Sequence, residues 1–230
     1  MRRRPQSAGL FLIKTAMQRR NFLALLATLP MTLKAQSSFD DLQAEARRRT
    51  AVFLAQLNQM AINQPKPIYF NAADPVFGAA NAKRTVLVFT DFNCPYCRKI
   101  DAVIQQVARE EEVRFVLKWQ TMMADSSAAA ASYALQVWRT ARPQYLQIHT
   151  ALMQAPLPLT PQALRDIAQR SKTEHLLTLA ESETLTASVD LGKQLRIFAT
   201  PSMLIGNRII SGMTDAATLK STIRQWPSSA

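Results

Sequence analysis

The stretch VLVFTDFNCPYC restricts this chain more than any other. A near-continuous apolar run, Val86-Leu87-Val88-Phe89, leads within a few positions into Cys94 and Cys97, the only two cysteines in 230 residues. Such a run fits a strand buried on both faces, as in the middle of a parallel or mixed sheet. Beyond the cysteines, Ile100, Val103, Ile104 and Val107 recur at i, i+3, i+4 and i+7, so a helix begins at the motif and lays one apolar stripe on the sheet. Val113, Phe115 and Leu117 then alternate as a second strand and complete a βαβ unit. The cysteine pair therefore sits on a strand-to-helix turn, and each sulfur can bond only to the other or to a partner molecule.

From Ser126 to Arg196 the signals turn helical, with Thr160 as an N-cap, Pro143 and Pro161 at first helical positions, and Leu164, Ile167 and Ala168 as a buried stripe. A hairpin follows, Pro201 to Ile205 and Arg208 to Ser211 about a Gly206-Asn207 turn, and a last helix over 214–225 closes the sheet with Leu219 and Ile223. Strands before and after a helical block imply an α/β domain over 64–125 and 197–230, with an all-helical subdomain, 126–196, inserted in it. Ahead of this stand a helix within 36–63, apolar at Phe39, Leu42, Ala46, Phe53, Leu57 and Met60, and the proline-spaced linker NQPKPIYFNAADPVFG with a short strand at its end. That helix, interrupted by Arg47, Arg48 and Arg49 on a solvated face, either packs on its own domain or pairs two copies through residues 38–62.

The formal charge of +12 is not a nucleic-acid signal. Seven of the 28 basic residues precede Gln36 and no acid does, which leaves 21 basic against 16 acidic and no basic patch interleaved with aromatics. The early charges belong to residues 1–35, where MQRRNFLALLATLPMTLKAQ has the basic start, apolar run and small residue of an export signal, and Met17 is an expected alternative start of translation. Arg19-Arg20-Asn21-Phe22-Leu23 fits the twin-arginine pattern, and a general secretory signal fits as well. The protein is thus expected to be periplasmic or otherwise exported. Five glycines, at 9, 78, 192, 206 and 212, leave no phosphate-cradling loop, so no nucleotide cofactor is expected.

Disulfides persist outside the cytosol, so a lone CxxC in an exported chain reads as redox-active. Cys94 falls at a helix N-terminus, where the macrodipole and unsatisfied N–H groups favour a thiolate, while Cys97, one turn on, is expected to lie deeper and to act as the resolving thiol. Pro95 suits the first helical position, and Arg98 and Lys99 are expected to point to water. A static staple explains little, because so short a loop removes little unfolded-state entropy. A metal role finds few ligands: the two cysteines, His149 and His175 are the only soft or imidazole donors apart from methionines such as Met122 and Met123, which together with the thiolates admit a Cu(I) site. The bare reading is no metal, and His149 as a packed helical histidine.

FTDFNCPYC, the ADSSAAAASYAL and YLQIHTALM segments and ATP before a hairpin together resemble the DsbA family of thioredoxin-fold thiol:disulfide oxidoreductases, over approximately Tyr69 to Gln225. The resemblance implies catalytic Cys94 and Cys97 with Pro95 and Tyr96 between them, a cis Thr200-Pro201 bond with Thr200 and Pro201 meeting substrate, exported protein clients and a membrane redox partner. It implies no cofactor, since the disulfide carries the two electrons. Whether clients are oxidised, isomerised or reduced stays open. The chain departs from the pattern at Val88, where relatives often carry a buried acid, and at Ala199, where the usual residue is glycine; Asp91, three before Cys94, reads as a solvated loop acid. A binding or chaperone module, or a metal-handling protein, in which the CxxC is incidental is the rival reading.

Overall fold

A computed structural model describes residues 31–62, 71–79, 81–177 and 183–226. Helix α1 spans Met31–Ile62, seven residues longer at its start than the expected Ser38. The compact units of the chain part between Thr50 and Ala51. Most of the export signal and the linker through position 70 lie outside the described residues. No described helix is long and apolar enough to cross a membrane.

The second unit is built on a five-stranded mixed sheet in the order β1-β3-β2-β4-β5. β2, Arg84–Thr90, runs parallel to β3, Val113–Trp119, with Val86 opposite Phe115 and Val88 opposite Leu117. Between them lies α2, Pro95–Glu110, on the stripe the spacing predicts: Ile100, Ile104 and Val107 are buried and Val103 partly so. β1, Val76–Gly78, and β4, Ser202–Ile205, add antiparallel on either side, and β5, Arg208–Ser211, completes the hairpin. Gly206 turns it at a φ of +60°, and a Cβ there would run into the Trp226 ring, so this turn accepts only glycine.

Alternation along β2 splits the interior into two layers. Val86 and Val88 face the larger core, shared with α2, the inserted helices and Leu219 and Ile223 of α7 (Ala216–Gln225), whereas Leu87 and Phe89 face a smaller one with Leu191, Leu195 and Leu204. α7 begins two residues later than expected because Asp215 caps it, its carboxylate accepting the Thr218 N–H at 2.8 Å. The insertion between β3 and β4 contains α3 (Ser126–Thr140), α4 (Tyr145–Gln154), α5 (Pro161–Arg170) and α6 (Glu183–Gln194). Thr160 caps α5 through the Ala163 N–H at 3.1 Å, as its sequence predicts. Pro143 heads a 3-10 turn, Arg142–Gln144, that runs into α4.

A buried ion pair and a buried histidine–carboxylate hydrogen bond hold polar residues inside this frame. Lys118 on β3 meets Asp74, whose carboxyl burial pushes up against the lowering pull of that lysine. His149 on α4, fully buried among the Phe77, Phe92, Trp119 and Tyr145 rings, has Nε2 2.8 Å from Asp101 Oδ1 on α2. His149 is thus packed in a helix as read, and is also the polar link between α4 and α2. Removing the Ile104 side chain, 2% exposed in the larger core, leaves a cavity. Ile104→Ala is expected to cost about 2–5 kcal/mol in urea unfolding, read from the midpoint at unchanged slope.

Candidate active site

Local sequence sets the geometry around the cysteines. After Thr90 the chain leaves β2, and Asp91, Phe92 and Asn93 make the turn that α2 needs in order to start. Asp91 Oδ1 accepts the Asn93 N–H at 2.8 Å, an Asx turn, and the Asp91 carbonyl accepts the Cys94 N–H at 3.1 Å. Cys94 is the N-cap of α2, in extended conformation, and its Sγ accepts the Cys97 backbone N–H at 3.4 Å. Pro95 occupies the first turn, where a missing N–H costs nothing. Tyr96 is exposed, with the Lys99 ammonium 5.8 Å from its ring centroid.

Across the motif stands the loop before β4. Thr200-Pro201 is cis, as the resemblance implies, and the Thr200 carbonyl lies 3.3 Å from Cys94 Sγ, in position to accept from the thiol. Thr200 Oγ1 is buried and bonded to no other group, which leaves its hydroxyl free to turn to a thiolate on Cys94. The structure thus brings Cys94, Pro95, Tyr96, Cys97, Thr200 and Pro201 together, with both cysteines as free thiols. Among the described residues no group of histidine, cysteine or acidic side chains is arranged to hold a metal.

Ionisation separates the two sulfurs. The Cys94 thiol is lowered to about 5, foremost by the hydrogen bond from the Cys97 thiol, with the Thr200 hydroxyl and the Cys97 and Tyr96 N–H groups adding to it against the cost of burial. The protonated thiol gives its hydrogen to the Thr200 carbonyl; the thiolate instead gathers these donors. Burial pushes the Cys97 thiol far up, and the negative charge on Cys94 holds it there. The expectation that Cys97 is the more hidden of the two does not hold as an exposure, since both are 1% exposed. They differ in partners: hydrogen bonds dominate at Cys94, and desolvation at Cys97.

Two expectations for neighbouring residues are corrected. Asp91 is not a solvated loop acid: it is buried, and besides Asn93 it accepts from Ser127 Oγ at 2.8 Å and from the Met122 and Met123 N–H groups at 3.1 Å each. Arg98 does not point to water. Its guanidinium donates to the Phe92 carbonyl at 2.7 Å, to Leu152 at 3.1 Å and to Ala155, closing the C-terminal end of α4. Lys99 is exposed as expected. Sequence reading also passed over Asn93, whose amide donates to Ser126 Oγ and Ser127 Oγ and whose Oδ1 accepts the Leu159 N–H at 2.8 Å. The Asp-x-Asn spacing before a helix start was the available signal.

A low-affinity-for-protons thiol at the first turn of the helix after a central strand, with a proton-holding thiol one turn on, is the arrangement that dithiol–disulfide exchange requires. With helices inserted between β3 and β4, the domain has a thioredoxin-like fold and resembles the DsbA-like thiol:disulfide oxidoreductases. The sequence profile of the family described as Thioredoxin matches residues 71–225, more than half of the chain, and the chain belongs to that family. It is similar to Disulfide bond formation protein D of Bacillus subtilis (strain 168), 26% identical over 168 residues that cover 66% of this chain and 76% of that one. Among solved structures it resembles the catalytic domain of Proteus mirabilis ScsC, at 28% identity and a TM-score of 0.67 over 73% of this chain and 97% of the other. It also resembles a periplasmic thioredoxin-like protein from Salmonella enterica serovar Typhimurium, at 27% identity and 0.62 over 69% and 92%.

The ionisation of Cys94 links redox state to stability. Between pH 5, where folded Cys94 titrates, and ~8.5, the value of a free thiol, only the unfolded reduced chain carries the proton. The stability of the reduced protein relative to the disulfide form is therefore expected to rise with pH across that window, by up to about 1.4 kcal/mol per pH unit. It is gone below pH 5. Above ~8.5 the protonated Cys97 reverses the slope. Denaturant unfolding of both redox forms across pH checks this.

Proposed function

We propose that this protein is an exported dithiol–disulfide exchanger that donates disulfides to exported client proteins, with Cys94 as the residue that bonds the client and Cys97 as its internal partner. The observation that carries the reading is the Cys94 sulfur at the α2 N-cap, its thiol lowered to about 5 by donors from Cys97 and Thr200. In the oxidising direction a client thiolate attacks Cys94 Sγ of the Cys94–Cys97 disulfide, and the Cys97 sulfur leaves with the electron pair and takes a proton. A second client thiolate then attacks the client sulfur of the mixed disulfide and expels Cys94 as a thiolate. The client is oxidised by two electrons and the protein is reduced by two.

Direction follows from the same hydrogen bonds. Stabilising the Cys94 thiolate stabilises the reduced protein and makes its disulfide the stronger oxidant. Keeping Cys97 protonated slows its return attack on the mixed disulfide, which favours release of an oxidised client over escape backwards. Isomerisation uses the same chemistry begun from the reduced form. Turnover as an oxidase needs an acceptor for the electrons left on the dithiol, and a membrane redox partner fills that role. Export rests on the leader before Gln36 and on the periplasmic relative. On α1, Phe39, Leu42 and Phe53 are exposed, which supports pairing of two copies through residues 38–62; light scattering with and without residues 36–62 tests it.

Exchange with a reduced, unfolded polypeptide tests the central reading. A Cys97→Ser protein, mixed with a client activated as a disulfide, is expected to trap it on Cys94, and Cys94→Ser is expected to abolish turnover. Equilibration with glutathione is expected to place the dithiol on the oxidising side of thioredoxin's potential of about −270 mV. Full activity in the double Cys94→Ser, Cys97→Ser variant would overturn the assignment and leave a binding module.

A further inference from the structure

Outside the dithiol, the inserted helices carry an open cleft of about 510 Å³ that neither cysteine lines. Its walls are mostly apolar, from Ala124, Ala129, Pro158, Leu159, Pro161 and Leu164, at the adjoining N-terminal ends of α3 and α5. The residues that precede its walls along the chain are apolar and exposed too: Met122 by 45%, Met123 by 49% and Leu157 by 43%. Asp125, exposed at its edge, is the charged residue of the lining, and it makes no cap bond and no ion pair among the described residues.

This cleft is joined to the dithiol by Asn93. The side chain next to Cys94 bonds Ser126 Oγ at 3.1 Å, Ser127 Oγ at 3.0 Å and the Leu159 N–H at 2.8 Å, and Ser126 and Leu159 are themselves cleft walls. Adjacent Cα atoms lie ~3.8 Å apart and each hydrogen bond adds ~3 Å, so the wall stands on the order of 10 Å from Cys94, the span of about three extended residues. Asp91 fixes the same stretch from the other side by holding Met122, Met123 and Ser127. The cleft is therefore kept at a set distance from the sulfur that a client cysteine must reach.

We infer that this cleft is a client-binding subsite, which takes an apolar side chain about three residues from the client's reactive cysteine and favours a lysine or arginine beside it through Asp125. The inference rests on the dithiol reading above. The occupant is a polypeptide because the covalent site it adjoins exchanges with polypeptide thiols, so a client seated on Cys94 has chain to lay along this wall. The chemistry is set by the apolar lining and by one unpaired carboxylate. Burying one aliphatic side chain is worth roughly tenfold or more in affinity.

Cysteine peptides test it with the full chain. Peptides with Leu-Lys three residues from the cysteine, on either side, are compared with Ser-Lys and Leu-Asp versions as reductants of the oxidised protein, alongside dithiothreitol. The wild type is expected to prefer Leu over Ser by about tenfold or more, in KM. Ala129→Arg, an exposed position one turn after Asp125 where arginine suits a helix, spans the mouth and pairs with that carboxylate. It is expected to erase the preference while the rate with dithiothreitol stays unchanged, and Asp125→Asn is expected to erase only the Lys-over-Asp preference. A wild type that does not distinguish Leu from Ser, or an Ala129→Arg variant that still does, overturns the cleft; an Ala129→Arg variant that changes only the mass in light scattering assigns it to a second copy and also overturns it. Failure of the wild type with dithiothreitol as well would instead sink the dithiol reading.

Discussion

The hydrogen bonds at Cys94 are the constraint on which the rest of the molecule turns. A sulfur placed at a helix N-cap is offered the Cys97 N–H whether or not it is charged, but only the thiolate can draw on the Cys97 thiol and the Thr200 hydroxyl together. Both sulfurs are 1% exposed, yet desolvation is the largest effect at Cys97 and is outweighed at Cys94. What decides is the count of donors: Cys94 collects them, and Cys97 spends its own proton on Cys94. An asymmetric pair follows from a symmetric motif.

That asymmetry requires the loop to be held in one geometry, and the holding is done from the helical insertion. Asp91 ties the turn to the segment after β3 and to α3, Asn93 ties it to α3 and to the start of α5, and Arg98 ties the first turn of α2 to the last turn of α4. The insertion is thus more than a cover on the sheet. Each of these side chains satisfies backbone groups or hydroxyls that burial would otherwise leave costly, which is why a buried carboxylate and a half-buried guanidinium are tolerated so close to the sulfurs.

Much of this was open to reading in the sequence. Period-two and period-3.6 patterns located β2, α2 and β3 because their apolar residues meet one continuous core, and Thr160, Pro161 and Gly206 marked caps and turns through local backbone chemistry. Cys94 and Cys97 were legible because no other cysteine competes. The cis Thr200-Pro201 bond came from resemblance, since nothing local to Ala199-Thr200-Pro201 demands it. Illegible were contacts between residues far apart in the chain: Asp91 with Ser127, Asn93 with Leu159, Arg98 with Ala155, Lys118 with Asp74 and Asp101 with His149. A charged residue near a turn reads as solvated until the fold brings a partner to it, and periodicity carries no information on which partner arrives.

Thiolate absorbance of the reduced protein, followed as a function of pH, reports the state of Cys94 without reference to any client. A single ionisation is expected with a midpoint near pH 5, well below that of a free thiol, and no second step until strongly alkaline pH. A midpoint at the ordinary ~8.5, or two thiols ionising together, would contradict it.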